Sequence, residues 1–406
     1  MHTACHECDL LVDIPDLPEG SKAVCPRCDY VITSKHRNSQ DRVLAYAITA
    51  LIFLILSFIF PFLTFSAQGQ DRTVTLVQSI TVLANENFIS LSIIIFSAII
   101  VIPALYLLSA IYIYISFKIK KLLPYTVTQL KLIGHLQHWS MAEIFLIGIL
   151  VSFVKIASLA DVTLGLSFWS YVLFIIFMTA TILHIDQHQA WRWLIALNPE
   201  KQSKQHIPSD YKSCDVCMSL AEAGAEHCLV CGSKLHHRIE NSLQKTWALL
   251  ITSVILYIPA NLLPIMHTVF LGEETANTLL GGVLVLWKHG SYPIAIIIFI
   301  ASVLVPVIKI VILSWLCYSI QSRSQKSFKQ KTRLYRFTEL IGRWSMVDVF
   351  VVAILVALIK LGNIMSIYPG WGAVAFAGMV VTSVLAAMSF DPRLIWDNAN
   401  QESDHE

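Results

Sequence analysis

Residues 139–155 read WSMAEIFLIGILVSFVK, and residues 344–360 read WSMVDVFVVAILVALIK. Each stretch opens on Trp-Ser-Met, places an acid just behind it (Glu143, Asp348), continues through an apolar run and closes on a lysine (Lys155, Lys360). Long apolar runs set between polar stretches mark a helical membrane protein. The constant spacing of 205 residues makes the two stretches copies of one unit.

Outward from this pair, the whole chain keeps the same texture. It has 406 residues, 56% hydrophobic and only 14% charged, with a mean hydropathy of +0.65; soluble domains carry about 25% charged residues. With roughly 20 apolar residues needed per crossing, eight candidate spans follow, at about 43–66, 88–117, 141–160, 166–185, 246–268, 293–320, 346–366 and 371–390. A tight turn at Tyr368-Pro369-Gly370 separates the last two. An even number puts both termini on one side. Of the 29 lysines and arginines, all but Arg72, Lys155, Lys288, Lys309 and Lys360 fall in the terminal segments and the loops near 118–138, 186–245 and 321–343. By the positive-inside rule that set of loops faces the cytoplasm. The first 42 residues are polar and hold four cysteines, so no signal peptide is expected there.

The duplication extends beyond the opening pair. Pro61 matches Pro264, Thr75-Leu76 matches Thr278-Leu279 and Pro103 matches Pro306 at a spacing of 203; Phe145 matches Phe350, Asp186 matches Asp391 and Trp191 matches Trp396 at 205. The fold class expected is therefore an all-α polytopic membrane protein, two tandem repeats of four transmembrane helices, each preceded by a small cysteine-rich domain. The boundaries are 1–42 for the first such domain, 43–200 for the first membrane repeat, 201–240 for the second domain, 241–396 for the second repeat and 397–406 for a polar tail. Both units begin and end on the same side, so the repeats are parallel, related by an axis along the membrane normal.

The cysteines carry the clearest chemistry. Cys5-x2-Cys8 precedes Cys25-x2-Cys28, and Cys214-x2-Cys217 precedes Cys228-x2-Cys231. Paired C-x2-C knuckles of this kind read as closed tetrahedral zinc sites, two zinc ions in all, one per ribbon, with bound metal supplying folding energy that such short segments lack. Disulfides are disfavoured in the cytoplasm, and a redox C-x-x-C expects a βαβ context that is missing here; iron is the alternative metal. His6 and His227 flank knuckles, but four cysteines already complete each site. Cys317 reads as a packed apolar residue.

Ionisable residues within spans are costly and often functional. Glu143 and Lys155 fall on the third expected span, Asp348 and Lys360 on the seventh, and Lys309 on the sixth, where its counterpart is Tyr106. These five are candidates for a lipid pathway or for ion coupling; the competing reading is that the lysines snorkel to the interface. Pro103 and Pro306 are expected to kink their helices, and Trp139 and Trp344 to act as interfacial anchors. No phosphate-binding GxxxxGK[ST], H-E-x-x-H or G-x-S-x-G occurs. Neither an enzyme nor a nucleic-acid partner is expected.

Several segments resemble the paraquat-inducible protein A family of Gram-negative bacteria: the Cys5 to Val12 opening, Cys25-Pro26-Arg27-Cys28, Trp139 to Phe145, Leu262-Leu263-Pro264-Ile265-Met266, Gly342 to Phe350, and Phe390-Asp391-Pro392-Arg393-Leu394. The resemblance covers almost the whole chain. It implies an inner-membrane subunit of an intermembrane lipid transport system that supports envelope integrity. The implied partners are a periplasmic tunnel protein of the MCE (mammalian cell entry) class, an outer-membrane lipoprotein beyond it, and phospholipid. Two other readings stay open on the residues: a secondary transporter coupled through the intramembrane lysines and acids, and a membrane scaffold or sensor in which the ribbons bind a cytoplasmic partner.

Overall fold

The computed structural model describes residues 2–67, 70–85, 88–157, 161–198, 211–270, 273–288, 290, 292–322, 327–358, 360–361 and 365–397. The chain opens with two short hairpins, β1 (His2–Ala4) with β2 (Leu11–Asp13) and β3 (Lys22–Val24) with β4 (Val31–Ser34), and then enters α1 (Ser39–Ile59). A hairpin of β5 (Leu63–Ala67) and β6 (Gln70–Val74) leads to α2 (Leu76–Asn85), α3 (Ile89–Phe96), a π-helical turn at Ser97–Val101, and α4 (Ile102–Lys118). Then come α5 (Thr126–Trp139), α6 (Ala142–Ala157), β7 (Asp161–Leu164), α7 (Leu166–His184) and α8 (Gln187–Ala196).

The second half runs through the same order: β8 (Tyr211–Ser213), β9 (Leu220–Glu222), α9 (Ser242–Leu262), β10 (Met266–Phe270), β11 (Glu273–Asn277), α10 (Leu279–Lys288) and α11 (Tyr292–Phe299). A second π-turn at Ile300–Leu304 precedes α12 (Val305–Gln321). After α13 (Phe328–Gly342) and a 3-10 turn at Arg343–Met346 come α14 (Val347–Leu358), β12 (Lys360–Leu361), β13 (Met365–Pro369) and α15 (Trp371–Ser389).

The surfaces of the helices say where they sit. On α1, Val43, Ala47, Ala50, Leu54 and Ser57 are buried while Ile48, Ile52, Ile55 and Ile59 face outward. On α9 the inward residues are Thr246, Leu250, Ser253 and Ala260, and the outward ones Ile251, Val254, Ile255 and Ile258. A bundle in water does the opposite, hiding its largest aliphatic side chains. Small residues within and large aliphatics without is the arrangement of helices packed in lipid. Seven helical segments are long and apolar enough to cross a membrane; α1, at 21 residues, is about 31 Å long. This is a multi-pass membrane protein.

The expectation of an all-α fold needs one correction. The fold is mostly helical, but each half ends its helices on a small antiparallel sheet at the end opposite the cysteine hairpins. The first has the order β6-β5-β7 and the second β11-β10-β13-β12, with Leu63 paired to both Val74 and Leu164, and Met266 to both Asn277 and Pro369. Several expected spans therefore overran their helices. Pro61 and Pro264 disfavour helix in the residue before them, and Phe60 and Leu263 are extended. The following residues are still apolar, so composition alone carried the span onward. The seventh expected span, 346–366, is likewise helical only to Leu358 and then turns into strands, so Lys360 lies in β12 rather than on a helix. Ahead of Pro103 and Pro306, the π-turns accommodate the missing proline N–H.

One glycine closes each sheet onto its helices. Gly165 donates its N–H to the Phe62 carbonyl at 3.0 Å, and its counterpart Gly370 donates to Ile265 at 2.7 Å. A Cβ at Gly165 would fall on the Pro61 carbonyl oxygen, and one at Gly370 on that of Pro264. The strand that leaves the first helix and the one that enters the last thus cross with no space for a side chain. Along the bundle, α1 packs on α7 and α9 on α15. The halves meet through α6 and α14, where Phe145 meets its own counterpart Phe350 edge to face at 5.5 Å, and a Cβ on Gly148 would lie 3.0 Å from the Phe350 Cβ. Equivalent residues touch each other in this way only beside a twofold axis.

Gly165→Ala and Gly370→Ala are each expected to destabilise the purified protein by about 1–3 kcal/mol, the usual cost of overpacking. Gly282→Ala, where a Cβ meets nothing within 4 Å, is the neutral comparison. Thermal unfolding in detergent measures both; equal midpoints for all three variants would contradict the crossing described here.

Candidate metal centres and the polar residues of the bundle

The four cysteine knuckles share one local geometry. In each, the N–H three residues beyond the opening cysteine's neighbour turns back onto that cysteine's carbonyl: Asp9 to Cys5 and Met218 to Cys214 at 2.9 Å, Asp29 to Cys25 at 3.0 Å, and Gly232 to Cys228 at 2.7 Å. All four of these residues adopt the left-handed region, with φ of 59°, 58°, 61° and 70°. Each opening cysteine then donates its own N–H onward, Cys5 to Leu10, Cys25 to Tyr30, Cys214 to Ser219 and Cys228 to Ser233. The tight turn aims two thiols at one point, and the hairpins bring the knuckles together in pairs.

The sulfurs converge as the spacing predicts. Cys5, Cys8, Cys25 and Cys28 form one quartet, and Cys214, Cys217, Cys228 and Cys231 the other, with the sulfurs of each quartet within 4.8 Å of one another. Cys5 lies 3.5 Å from Cys28, Cys8 3.6 Å from Cys25, and Cys214–Cys231 and Cys217–Cys228 are 3.5 Å apart. Metal–sulfur bonds of about 2.3 Å in a tetrahedron need sulfurs somewhat under 4 Å apart, so either quartet can hold a metal ion. All eight cysteines are buried. Four thiols fill four positions, which leaves no open one for a substrate. Without a cation the thiols of each quartet share protons unevenly: Cys5 and Cys8 are pushed well up by the hydrogen bond to Cys28 and Cys217 by that to Cys214, while the same kind of bond holds Cys28 and Cys231 well below the usual thiol range. A cation favours the thiolate at all four positions because the thiolate is the ligand.

Neither hairpin pair stands alone. The first touches the second through Thr3 Oγ1, which donates to the Met218 carbonyl at 3.1 Å, and through Ser213 Oγ, which donates to Asp9 at 2.8 Å. It also docks on the second half of the bundle. Arg336 on α13 forks onto both oxygens of Glu7 and donates to the Cys28 carbonyl at 2.9 Å. Burial raises the Glu7 carboxyl while the Arg336 fork opposes it; the two-toothed geometry identifies an ionic pair. Arg27 lies over the Trp396 ring at 4.6 Å, and Trp396 Nε1 donates to Thr332. Arg393, almost fully buried, binds Asp391 at 2.9 Å and Asp215 at 2.7 Å. Burial pushes Asp391 up, but the Arg393 bonds outweigh it and hold the carboxyl below its usual range.

The matched aspartates found in the sequence are joints. Asp186 accepts from the Ser34 N–H and from Thr33 Oγ1, and Asp391 accepts from the Ile239 N–H at 3.1 Å. Each therefore ties the end of a bundle half to the segment that leads into its first helix. Ser39 Oγ donates to the His184 carbonyl and Ser242 Oγ to that of Ser389, completing the same joint twice.

The intramembrane candidates do not form one cluster. Glu143 begins α6 and Asp348 begins α14, Lys155 is in the last turn of α6, and Lys360 is in β12; the side chains of Lys155, Asp348 and Lys360 lie outside the described residues. Lys309 is different. Its side chain is 2% exposed, Nζ donates to Ser383 Oγ at 3.3 Å, and a Cβ at Gly342 would lie 2.7 Å from Nζ. Its counterpart Tyr106 is fully buried, with a hydroxyl that has no hydrogen-bond partner among the described residues. Cys317 is packed beside Leu313 and Leu316, as expected. Sequence reasoning missed Glu7, Arg336 and Arg393. Only Arg393 carried a visible cue, its place in the Asp391-Pro392-Arg393 stretch.

The family model of paraquat-inducible protein A matches residues 40–195 and again 243–400. The intermembrane transport protein PqiA of Escherichia coli (strain K12) is 38% identical over 413 residues, covering 100% of this chain and 97% of that protein. Lipophilic envelope-spanning tunnel protein A of the same strain is 29% identical over 397 residues, covering 97% of this chain and 90% of that protein. A probable intermembrane transport protein of Haemophilus influenzae is 28% identical over 407 residues, covering 98% and 96%. No solved structure matches the chain.

The purified, reduced protein is expected to carry two metal equivalents, and Cys25→Ser one. Elemental analysis of both preparations tests this; an unchanged count in the variant removes Cys25 from the ligands.

Proposed function

The chain belongs to the paraquat-inducible protein A family, and on that premise we propose that it is the inner-membrane subunit of an intermembrane lipid transport system. In this reading it passes phospholipid to or from a periplasmic MCE-class tunnel protein, with an outer-membrane lipoprotein beyond, and so supports envelope integrity. The observation that carries the proposal is likeness over the full length to proteins named for intermembrane transport. In this reading it is a transport protein rather than an enzyme, and the two closed sulfur quartets are structural.

The finer architecture belongs to the same proposal. Two tandem repeats of four transmembrane helices span 43–200 and 241–396, and zinc ribbons occupy 1–42 and 201–240. Zinc is the metal because it takes four thiolates without redox chemistry and suits a structural site. The ribbons and both termini face the cytoplasm, on the strength of the basic residues in those segments. The tail at 398–406 lies outside the described residues. Lys155, Lys360, Glu143, Asp348 and Lys309 are the residues proposed to meet lipid headgroup, water or a coupling ion.

A second reading, a secondary transporter of a small solute, is favoured by one observation. Lys309 is buried at the level of the spans with a single neutral hydrogen-bond partner, and intramembrane charge so placed is a common mark of ion-coupled transport.

Three experiments bear on the proposal. Co-purification followed by mass spectrometry should recover phospholipid and a periplasmic partner; recovery of neither contradicts the lipid reading. Lys155→Met with Lys360→Met should insert and bind metal normally yet fail to complement a deletion strain, whereas full complementation at normal expression removes both lysines from the pathway. A membrane-impermeant maleimide applied to intact spheroplasts should label Arg72→Cys and not Asp210→Cys; the reverse pattern inverts the orientation.

A further inference from the structure

The two halves differ at one joint. In the second half, Arg238 donates to Asp9 at 2.7 Å and forks onto Asp397. At the spacing of 203 that relates Cys28 to Cys231 and Ser39 to Ser242, the counterpart of Arg238 is Lys35, and at the spacing of 205 that relates Asp186 to Asp391, the counterpart of Asp397 is Arg192. The first half has thus kept the base and put an arginine in place of its acid. Neither Lys35 nor Arg192 has an ion pair among the described residues.

Where the pair is missing there is a cavity of about 490 Å3, within the range of small-molecule sites. Lys35, Arg192 and His36 contribute basic groups to its walls, Asp16 and Asp41 acidic ones, and Trp193 an indole. Its position along the bundle is fixed by Ser39, which also lines it and whose hydroxyl donates to the last turn of α7 at His184. The cavity therefore sits at the level where α1 and α7 leave the apolar layer. The first turn of α1 forms one wall, and no side chain caps it. Asp41 is taken up by Lys118 at 2.8 Å, which leaves Lys35 and Arg192, the Asp16 carboxylate and an indole at a lipid–water boundary, a set that matches a headgroup carrying both a phosphate and an ammonium.

We propose that this cavity binds the headgroup of a zwitterionic phospholipid of the phosphoethanolamine type, with the phosphate held by Lys35 and Arg192 and the ammonium facing Asp16. The site lies at the cysteine-hairpin end of the first half, where two bases stand at the positions that Arg238 and Asp397 hold as an ion pair in the second half. It is a resident lipid site, independent of what the protein moves between membranes.

The test uses the full chain with Leu17→p-benzoylphenylalanine, a residue of the cavity wall, in nanodiscs of phosphatidylcholine doped with phosphatidylethanolamine. Illumination is expected to give a phosphatidylethanolamine adduct, identified by mass spectrometry. Arg192→Gln and Lys35→Gln, each judged folded by its metal content and monodispersity, are expected to lower the adduct about tenfold, as loss of a charge-assisted hydrogen bond does. Arg192→Lys should restore most of it. No adduct in the parent protein overturns the proposal, and so does an undiminished adduct in both glutamine variants. Displacement of the adduct by millimolar inorganic phosphate would assign the site to free phosphate and overturn the headgroup assignment.

Discussion

A peptide group carried into an apolar layer loses its hydrogen bonds to water, and each one left unpaired costs several kcal/mol. The architecture of this chain follows from how it meets that demand. Within the apolar layer the backbone is helical, so every peptide bonds to its own helix. Where the chain must turn, it turns into strands that bond to one another, and both sheets lie at the helix ends. The crossing at each sheet is so close that the glycine N–H reaches a carbonyl at the start of the neighbouring strand, and only hydrogen can occupy the side-chain position there. Some polar side chains inside the bundle meet the same demand, as Ser57, Ser152 and Thr181 donate back to carbonyls of their own helices, while the Tyr106 hydroxyl does not among the described residues.

Features with a local cause were legible in the sequence. The C-x2-C spacing dictates the knuckle turn, so both sulfur quartets could be named residue by residue. Apolar length dictates a span, and repetition of Pro61, Phe145 and Asp186 at fixed intervals exposed the two halves. The strands were not legible, because Leu63–Ala67 and Met365–Pro369 are short and still mix in Leu, Phe, Met and Ile behind strongly apolar helices, and hydropathy alone does not distinguish such a strand from a helix end. The placement of Lys360 failed for that reason. Nor could any local pattern reveal that Glu7 would meet Arg336, 329 residues away, since that contact depends on the assembled bundle.

The two halves have kept their backbone joints and changed their polar interior. Asp186 and Asp391 hold equivalent N–H groups, and Ser39 and Ser242 equivalent carbonyls. Polar side chains diverged instead: Lys309 against Tyr106, Asp397 against Arg192. Duplication supplied a scaffold whose bonds are the same on both sides, and difference of function can reside only in the groups that scaffold presents.

The first cysteine hairpins are anchored by Trp396, Arg336 and Arg238, all made after them. Synthesis proceeds from the N-terminus at about 5–20 residues per second, so the opening segment leaves the ribosome on the order of 20–70 s before its last docking partner exists. During that interval the segment must persist without its berth, held together only by whatever its own thiols capture. A chain that stops short of Trp396 leaves Arg27 without the ring it lies over, and one that stops short of Arg336 leaves Glu7 without its partner as well. The berth of the N-terminal hairpins is therefore finished only after the last helix has been made.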